Sequence, residues 1–308
     1  MEGPSLVPGN GRFEMAAEIG AEAPPRSARF DSEIEDPLSH GDNVHEEPGS
    51  SQPSNAIIAE QLKKPDHEEA LLAILVLRGR QATAQVLLPD IINRLNSFTQ
   101  EKFRGQASAI LASKMIDTLG EYIPGERNAA EAVKPFLNYP DSSIRFSAAT
   151  FFNISPDAPR NALEELSSAI EDKDPLVANL AISALRKGNA IYIPVIQKLT
   201  EALKDPDLRE EAALALGQGG FAASTALKDL ERCLNRYSDS AADLAVVGSI
   251  GAIASKMAGQ VERQVLPWDH RLLSMETKAA TRFLESVVKD SHSPMRLRLA
   301  ASAALKEG

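Results

Sequence analysis

Histidine and glutamate residues are the first candidates for chemistry in this sequence, because together they can ligate a metal ion. His67-Glu68 lies at the start of a predicted helix, but a single pair of this kind cannot hold a metal centre. His270 and His292 have no cysteine or second histidine at metal-ligand spacing. We therefore predict no metal site, and no motif in the sequence indicates a bound cofactor.

The single cysteine and the glycine-rich segment also favour structural roles. Cys233 shares a predicted helical face with Leu227 and Leu230, which is typical of a small core residue and not of a nucleophile. The segment 217–220 follows a predicted helix, whereas loops that bind phosphate precede one. We predict no catalytic residues, and the pattern favours a noncatalytic protein over an enzyme.

Arginines near the start of successive predicted helices are candidates for binding. Arg145, Arg209 and either Arg296 or Arg298 would form a row if these helices stack in register. In one interpretation the row is a structural ladder, in which each arginine pairs with a neighbouring aspartate. In the other it is a stripe that recognises an acidic peptide.

The only tryptophan, Trp268, lies in the segment 265–273, between two predicted repeats. It either packs this segment against the repeats or anchors a partner from an exposed position. The candidate partner-binding residues are therefore Arg145, Arg209, Arg296, Arg298 and Trp268.

Composition and the positions of helix-breaking residues predict the elements that position these residues. Hydrophobic residues make up 43% of the 308, which is enough for a sizeable core, but aromatic residues make up only 5%. From residue 55 onward, helix-forming segments alternate with Asp, Pro and Gly, and no strand-type alternation interrupts them. The predicted fold class is all-α.

A period of about 33 residues runs through the helical segments. Asp141, Asp174, Asp207 and Asp239 each precede an apolar helix, and they are spaced by 33, 33 and 32 residues. Each of these apolar helices is termed helix B, and another apolar helix, termed helix A, precedes it. Weaker copies on both sides predict about seven hairpins in all.

The unit 190–220 shows how one repeat is built. Asp207 is expected to accept hydrogen bonds from the open N–H groups at the start of its helix B. Gly217, Gly219 and Gly220 are expected to end that helix by allowing positive φ.

This unit resembles a HEAT repeat of the short kind found in phycobiliprotein lyases. In that kind of repeat, the second helix begins with Asp-Pro followed by Arg, and it continues with Ala residues and a Leu-Gly pair. The matching residues are Asp205-Pro206-Asp207-Leu208-Arg209, then Ala212, Ala213, Ala215, Leu216 and Gly217. The resemblance covers residues 55–308 and implies a right-handed α-solenoid, an armadillo-like helical array. Such repeats serve scaffolds, adaptors, lyase-type chaperones and a few enzymes, so the resemblance implies fold more than function.

The domain boundaries follow from the same pattern. Residues 1–54 are rich in Gly, Pro, Ser and Glu and are predicted to form a disordered acidic tail. An alternative is that Phe30, Ile34 and Leu38, which recur at helical spacing, belong to a segment that folds on a partner. The solenoid is predicted over 55–308, with an irregular insert at about 255–278.

The distribution of charge disfavours nucleic acid as a partner. The net charge is −10; residues 1–69 hold 15 acidic and 5 basic side chains, while residues 70–308 hold 28 of each. A neutral array lacks the basic excess that phosphate binding requires. The longest apolar run, 71–77, is too short to cross a bilayer, and we expect a cytoplasmic protein with no membrane contact.

These features together predict a noncatalytic scaffold or adaptor that binds a protein or peptide on a concave face lined by the B helices. The alternative is a lyase-like or chaperone-like auxiliary that holds a cofactor or a client enzyme. The sequence leaves the oligomeric state open.

Overall fold

The computed structural model describes residues 53–100, 105–155, 157–262 and 270–306. Within these ranges the chain is all helical, without strands, and Gln52–Gly308 forms one compact unit. The α-helices are, in chain order, α1 (Asn55–Lys63), α2 (His67–Val76), α3 (Gln81–Val86), α4 (Leu88–Gln100), α5 (Gln106–Tyr122), α6 (Arg127–Val133), α7 (Ser142–Ile154), α8 (Leu163–Ala169), α9 (Pro175–Lys187), α10 (Ile193–Ala202), α11 (Arg209–Gly219), α12 (Leu227–Cys233), α13 (Ala241–Glu262), α14 (His270–Lys289) and α15 (Met295–Lys306).

The helices of the described ranges form seven hairpins, which confirms the predicted all-α repeat architecture. The B helices are α2, α5, α7, α9, α11, α13 and α15, and each contacts the next one in this order. The A helices are α1, α4, α6, α8, α10, α12 and α14, and several of them likewise contact their neighbours in the series. The array is therefore a stack of two layers with one continuous core between them.

Small residues let neighbouring B helices approach closely. Ala148 and Ala149 in α7 and Ala212 and Ala213 in α11 are fully buried. The Ser249 hydroxyl of α13 donates a hydrogen bond of 2.6 Å to the Ala213 carbonyl of α11. A larger side chain at these positions would separate the helices, because packed cores have no spare volume.

Most A helices are shorter than their B partners, and three of them adjoin a 3₁₀ segment. α6 continues as a 3₁₀ turn over Lys134–Asn138, where Pro135 lacks the N–H that an α-helix would use. Similar 3₁₀ segments precede α8 (Ala158–Asn161) and α12 (Gly220–Ala226).

Of the four evenly spaced aspartates that precede B helices, two cap the helix that follows. Asp141 accepts a hydrogen bond from the Ser143 N–H, and Asp174 accepts one from the Leu176 N–H. The prediction for Asp207 is wrong.

In this hairpin the turn is longer than predicted, and α11 begins only at Arg209. The carboxylate that closes the turn belongs to Asp205, which accepts a hydrogen bond from the Asp207 N–H. Ahead of α13, the Ser240 hydroxyl accepts a hydrogen bond from the Asp243 N–H.

We expect Asp174→Ala to lower the free energy of unfolding by about 1 kcal/mol, because the Leu176 N–H loses its acceptor. The corresponding shift of the thermal midpoint is about 2–4 °C, measurable by circular dichroism. Asp174→Asn keeps an acceptor oxygen and should retain most of the stability. Equal losses in both variants would show that the charge of Asp174, and not its capping hydrogen bond, stabilises the protein.

The glycines at the end of α11 have two different roles, so the prediction of positive φ at all three was wrong. Gly220 alone among them has positive φ, at 57°. Gly217 lies against α13, where an added Cβ would come within 2.9 Å of the Ser249 hydroxyl oxygen. Gly219 lies similarly close to Ile191. Gly217 and Gly219 therefore serve close packing and not chain reversal.

Helices occupy both ends of the segment 255–278, which was predicted to be an irregular insert. α13 extends to Glu262 and α14 begins at His270, so helices enter the segment from both sides. Residues 263–269, which include Trp268, lie outside the described residues, as does the predicted tail up to residue 52.

One helix of the described ranges is long and apolar enough to cross a membrane, judged by length and composition alone. It is the stretch Ala241–Gln260 of α13, and 56% of its most apolar window is buried inside the array. α13 contacts α11, α14 and α15. Its apolar character therefore fits the core helix of a helical stack.

Candidate partner-binding site

A groove lies between the B helices α5 and α7 and the first turn of α9. It has a volume of about 490 Å³ and opens to solvent. Its lining comprises Ser113, Lys114 and Asp117 of α5, Ser142, Ser143, Phe146, Ser147 and Thr150 of α7, and Asp174 and Leu176 at the start of α9. We refer to this set as the α5–α7 groove.

Two large apolar side chains stand exposed at this groove. Phe146 is 40% exposed and Leu176 is 62% exposed, although both belong to helices whose other faces supply the core. Their positions follow from the helical period, since Ile144 and Ala148 on α7 point into the stack. Exposed apolar side chains that share one groove are typical of a surface that binds another molecule.

The polar groups of the α5–α7 groove provide hydrogen-bonding capacity beside these apolar side chains. Lys114 and Asp117 form an ion pair of 3.0 Å, and Asp174 caps α9. The hydroxyl oxygens of Ser113 and Thr150 are buried and have no hydrogen-bond partner among the described residues. Because these two oxygens are buried, the polar groups open to a bound molecule include Lys114 and Asp117, whose side chains are 49% and 39% exposed.

A smaller cleft of about 180 Å³ between α2 and α5 shares Lys114 and Asp117 with this groove. The open surface formed by the B helices therefore continues from α9 to α2. A surface of this length suits an extended segment of a partner better than a small molecule.

Arg145, the first of the predicted binding arginines, is buried in the array. Its Nε donates to Asp172 Oδ2 at 2.6 Å and its Nη2 to Asp172 Oδ1 at 2.9 Å, which makes a two-pronged ion pair. Its Nη1 donates to the carbonyls of Tyr139 and Pro140, both at 2.9 Å. The side chains of Arg145 and Asp172 are 7% and 8% exposed. At this position the structural ladder, and not the acidic-peptide stripe, describes the arginine.

The ion pair shifts the pKa of both groups. Burial acts to raise the pKa of Asp172, but the hydrogen bonds from Arg145 and from the Asp174 N–H outweigh it, so the pKa lies below its ordinary value. The hydrogen bond to Asp172 raises the pKa of Arg145. The pair joins α7 to the turn before α9, and so links two successive hairpins.

The other predicted arginines occupy different surroundings. Arg209 donates from Nε to the Leu203 carbonyl, six residues earlier, at 3.0 Å. Arg145 likewise contacts the carbonyl six residues earlier, that of Tyr139, but it donates from Nη1. These two arginines therefore sit at the same register in their hairpins. No carboxylate within the described residues forms an ion pair with Arg209 like that of Arg145.

The two arginines of α15 differ in exposure. Arg298 is partly buried, with an Nε that has no hydrogen-bond partner among the described residues, whereas Arg296 is exposed. The structure thus does not bring the predicted arginines together into one exposed row. Trp268 lies outside the described residues, and its role stays a prediction.

The remaining candidates for chemistry have structural surroundings. Burial raises the pKa of the Cys233 thiol, and its Sγ–H points to the Leu230 carbonyl at 3.3 Å. His67 lies 3.0 Å from an Arg94 nitrogen and stacks beside Phe98. Within the described ranges, no group of three or more His, Cys, Asp or Glu side chains is arranged to hold a metal ion.

Sequence reasoning did not identify Phe146 and Leu176 as candidate site residues. Both are ordinary apolar residues in helix-forming segments, and the helical period alone does not tell which face a stacked neighbour covers. The available signal was positional: each lies within the first turns of a B helix, close after the capping aspartate.

Comparison with solved structures shows similarity to other helical proteins. An engineered protein solved by the Northeast Structural Genomics Consortium matches 82% of this chain and 67% of its own, with a TM-score of 0.55 and 17% identity. The CpcE–CpcF complex of phycocyanin lyase from a Nostoc species matches 86% and 99%, with a TM-score of 0.43 and 17% identity. A designed armadillo repeat protein matches 81% and 98%, with a TM-score of 0.42 and 17% identity.

At this identity, likeness to solved structures concerns the fold alone. No protein-family model and no curated protein matches the sequence. The chain is an all-helical repeat protein built of stacked hairpins, as the repeat period predicted.

Proposed function

We propose that the chain is a noncatalytic interaction scaffold, and that it binds an extended protein or peptide segment in the α5–α7 groove. The observation that supports this most strongly is that the exposed Phe146 and Leu176 share one open groove with the exposed ion pair of Lys114 and Asp117. Apolar anchors contribute most of the affinity at such surfaces, and surrounding polar groups give direction and specificity.

The charges of the groove define the chemistry of the partner. Lys114 is paired with Asp117, and the carboxylate of Asp174, which also lines the groove, caps α9. Arg145 is buried and already paired, so it offers no cation to an acidic ligand. The proposed partner segment therefore carries apolar side chains and main-chain hydrogen-bonding groups, without an acidic run.

Selection from a displayed random-peptide library against the full chain tests this proposal. We expect enriched peptides that share aromatic or aliphatic residues at a fixed spacing. Leu176→Glu should weaken the binding of such peptides by about tenfold or more, measured by fluorescence anisotropy, because a charge replaces an apolar anchor.

Ile193→Glu is the matched control for this variant. Ile193 is 67% exposed in the first turn of the A helix α10, as Leu176 is 62% exposed in the first turn of the B helix α9. The control should bind peptides as the wild type does. Equal weakening in both variants, or selected peptides that bind both normally, would contradict the proposal.

A further inference from the structure

Arg298 of the last B helix, α15, corresponds in position to Arg145 of α7. Each is the fourth residue of its helix, and in both helices the arginine N–H donates to the carbonyl four residues earlier. The residues just before them match as well, since Ile144 and Leu297 are both buried. Arg298 therefore occupies the same register in its hairpin as Arg145 does.

The surroundings of Arg298 differ from those of the other arginines in this register. Arg145 Nε donates to the carboxylate of Asp172, which belongs to the following hairpin, and Arg209 Nε donates to the Leu203 carbonyl. Arg298 forms no hydrogen bond or ion pair among the described residues, and its Nε is buried. A partly buried cation without an acceptor destabilises a fold, because its charge is partly removed from water. The structural ladder therefore does not account for this arginine.

The side of α15 that carries Arg298 is open. On α7 the same side is covered by the following hairpin, which supplies Asp172. Its residues recur at helical spacing and are at most 5% exposed: Arg145, Ala149 and Phe152. The corresponding residues of α15 are only partly buried: Arg298, Ser302 and Leu305. We refer to these three residues as the Arg298 face; among the described residues no hairpin covers it.

The charge of α15 indicates the chemistry that fits this face. The helix Met295–Lys306 carries three basic side chains and no acidic one. The two acids that precede it most closely in the same hairpin have partners of their own. Glu285 pairs with Lys289. Asp290 accepts the His292 N–H. The face therefore combines an uncompensated arginine with an apolar side chain, which suits a carboxylate on a partly apolar partner.

We propose that the Arg298 face binds a helical segment of a partner protein, and that this segment presents an aspartate or glutamate to Arg298. The array contains such a pairing once, where Asp172 of the hairpin stacked on α7 bonds to Arg145 at 2.6 and 2.9 Å. On α15 the carboxylate would bind the terminal Nη atoms, because the Nε is buried. An apolar side chain of the partner would contact Leu305. This surface is separate from the α5–α7 groove, so the two sites are tested independently.

The stability of Arg298→Met distinguishes a binding role from a structural one. Arg298 has no acceptor among the described residues, so the free energy of unfolding of this variant should equal or exceed that of the wild type. Urea unfolding followed by circular dichroism measures it. A clear loss of stability would show that Arg298 has a partner inside the array, and would overturn the proposal.

Selection of displayed two-helix hairpins against the full chain tests the binding itself. The library randomises the connecting turn and the start of the second helix, and the chain carries Leu176→Glu to disfavour binding in the α5–α7 groove. We expect enriched hairpins to share an aspartate or glutamate at one fixed position. Arg298→Met should weaken their binding by about tenfold or more, measured by fluorescence anisotropy, because a charge-assisted hydrogen bond is lost.

Arg282→Met is the matched control. Arg282 is an exposed arginine of the A helix α14, so this change removes the same charge from another helix. It should bind the selected hairpins as the unchanged chain does. Equal weakening in both variants, enrichment of hairpins without a shared acid, or no enrichment at all would contradict the proposal. A short DNA duplex that displaces the hairpins and binds Arg298→Met more weakly would show a phosphate site instead, and would also overturn it.

Discussion

Replacing Arg145 with methionine is expected to lower the free energy of unfolding by about 3–5 kcal/mol at neutral pH. The loss is large because Asp172, whose side chain is 8% exposed, would keep its buried charge without its partner. The carbonyls of Tyr139 and Pro140 would lose their donor as well. Urea unfolding followed by circular dichroism measures the change. The double variant Arg145→Met/Asp172→Leu, which removes both charges, should recover a large part of it.

The pH dependence of this variant identifies the cause of the loss. Because the pKa of Asp172 is lowered in the folded protein, its stabilising contribution is present above the unfolded pKa of about 3.9. That contribution disappears as pH falls through the lower folded pKa. Without Arg145, burial would instead raise the pKa of Asp172. The deficit of Arg145→Met should therefore be largest near neutral pH and become smaller below about pH 4. A deficit that does not change with pH would show that Arg145 acts through packing alone.

Two glycine-to-alanine substitutions in α13 should change stability in opposite directions. At Gly251 an added Cβ would overlap the Cβ of Ala304 and lie 3.0 Å from the Ala304 Cα, so α15 must move away. We expect Gly251→Ala to lower the free energy of unfolding by about 1–3 kcal/mol, as overpacking of a close helix contact does. Thermal and urea unfolding measure the loss.

Gly248 is the matched control, since it lies in the same helix and an added Cβ there would meet nothing within 4 Å. Gly248→Ala should raise the free energy of unfolding by about 0.5–1 kcal/mol, because alanine has the better helix propensity. If both substitutions stabilise the protein, α13 and α15 do not approach each other as closely as the structure shows.

The repeat period predicted about seven hairpins because several B helices carry a local start signal. Asp141 and Asp174 both cap a helix, and they stand 33 residues apart. The local pattern did not define the helix start at Asp205-Pro206-Asp207, where either of two aspartates could accept the hydrogen bonds of the turn. There the helix starts later, because the Asp205 carbonyl accepts the Arg209 N–H and Asp205 closes the turn before it.

Contacts between hairpins explain what the sequence did not predict. Gly217 lies where a helix-terminating glycine is expected. Glycine is needed there because Ser249, 32 residues later in the chain, packs against it and leaves no space for a Cβ. Arg145 and Arg209 share the same register and the same carbonyl contact, yet only Arg145 meets a carboxylate in the following hairpin, that of Asp172. Such pairings depend on how successive hairpins superpose, and a period in the sequence does not specify this to the accuracy of a hydrogen bond.

The candidate site also depends on contacts between successive hairpins. Phe146 and Leu176 differ from the core residues around them only in the face of the helix on which they lie. Which face stays open is decided by the neighbouring B helices, so the groove became recognisable only in the stacked array. The predicted location of the binding site on the B helices stays a prediction; it rested on arginines, and Arg145 is buried in an ion pair with Asp172.

Hydrogen exchange of the full chain, with and without a saturating selected peptide, tests the proposed binding function most directly. Binding in the α5–α7 groove should slow exchange in α5, in α7 and in the first turn of α9, and leave the A helices α8 and α10 unchanged. Slower exchange confined to the A helices, or no change in α7 and α9 at saturation, would contradict the proposal.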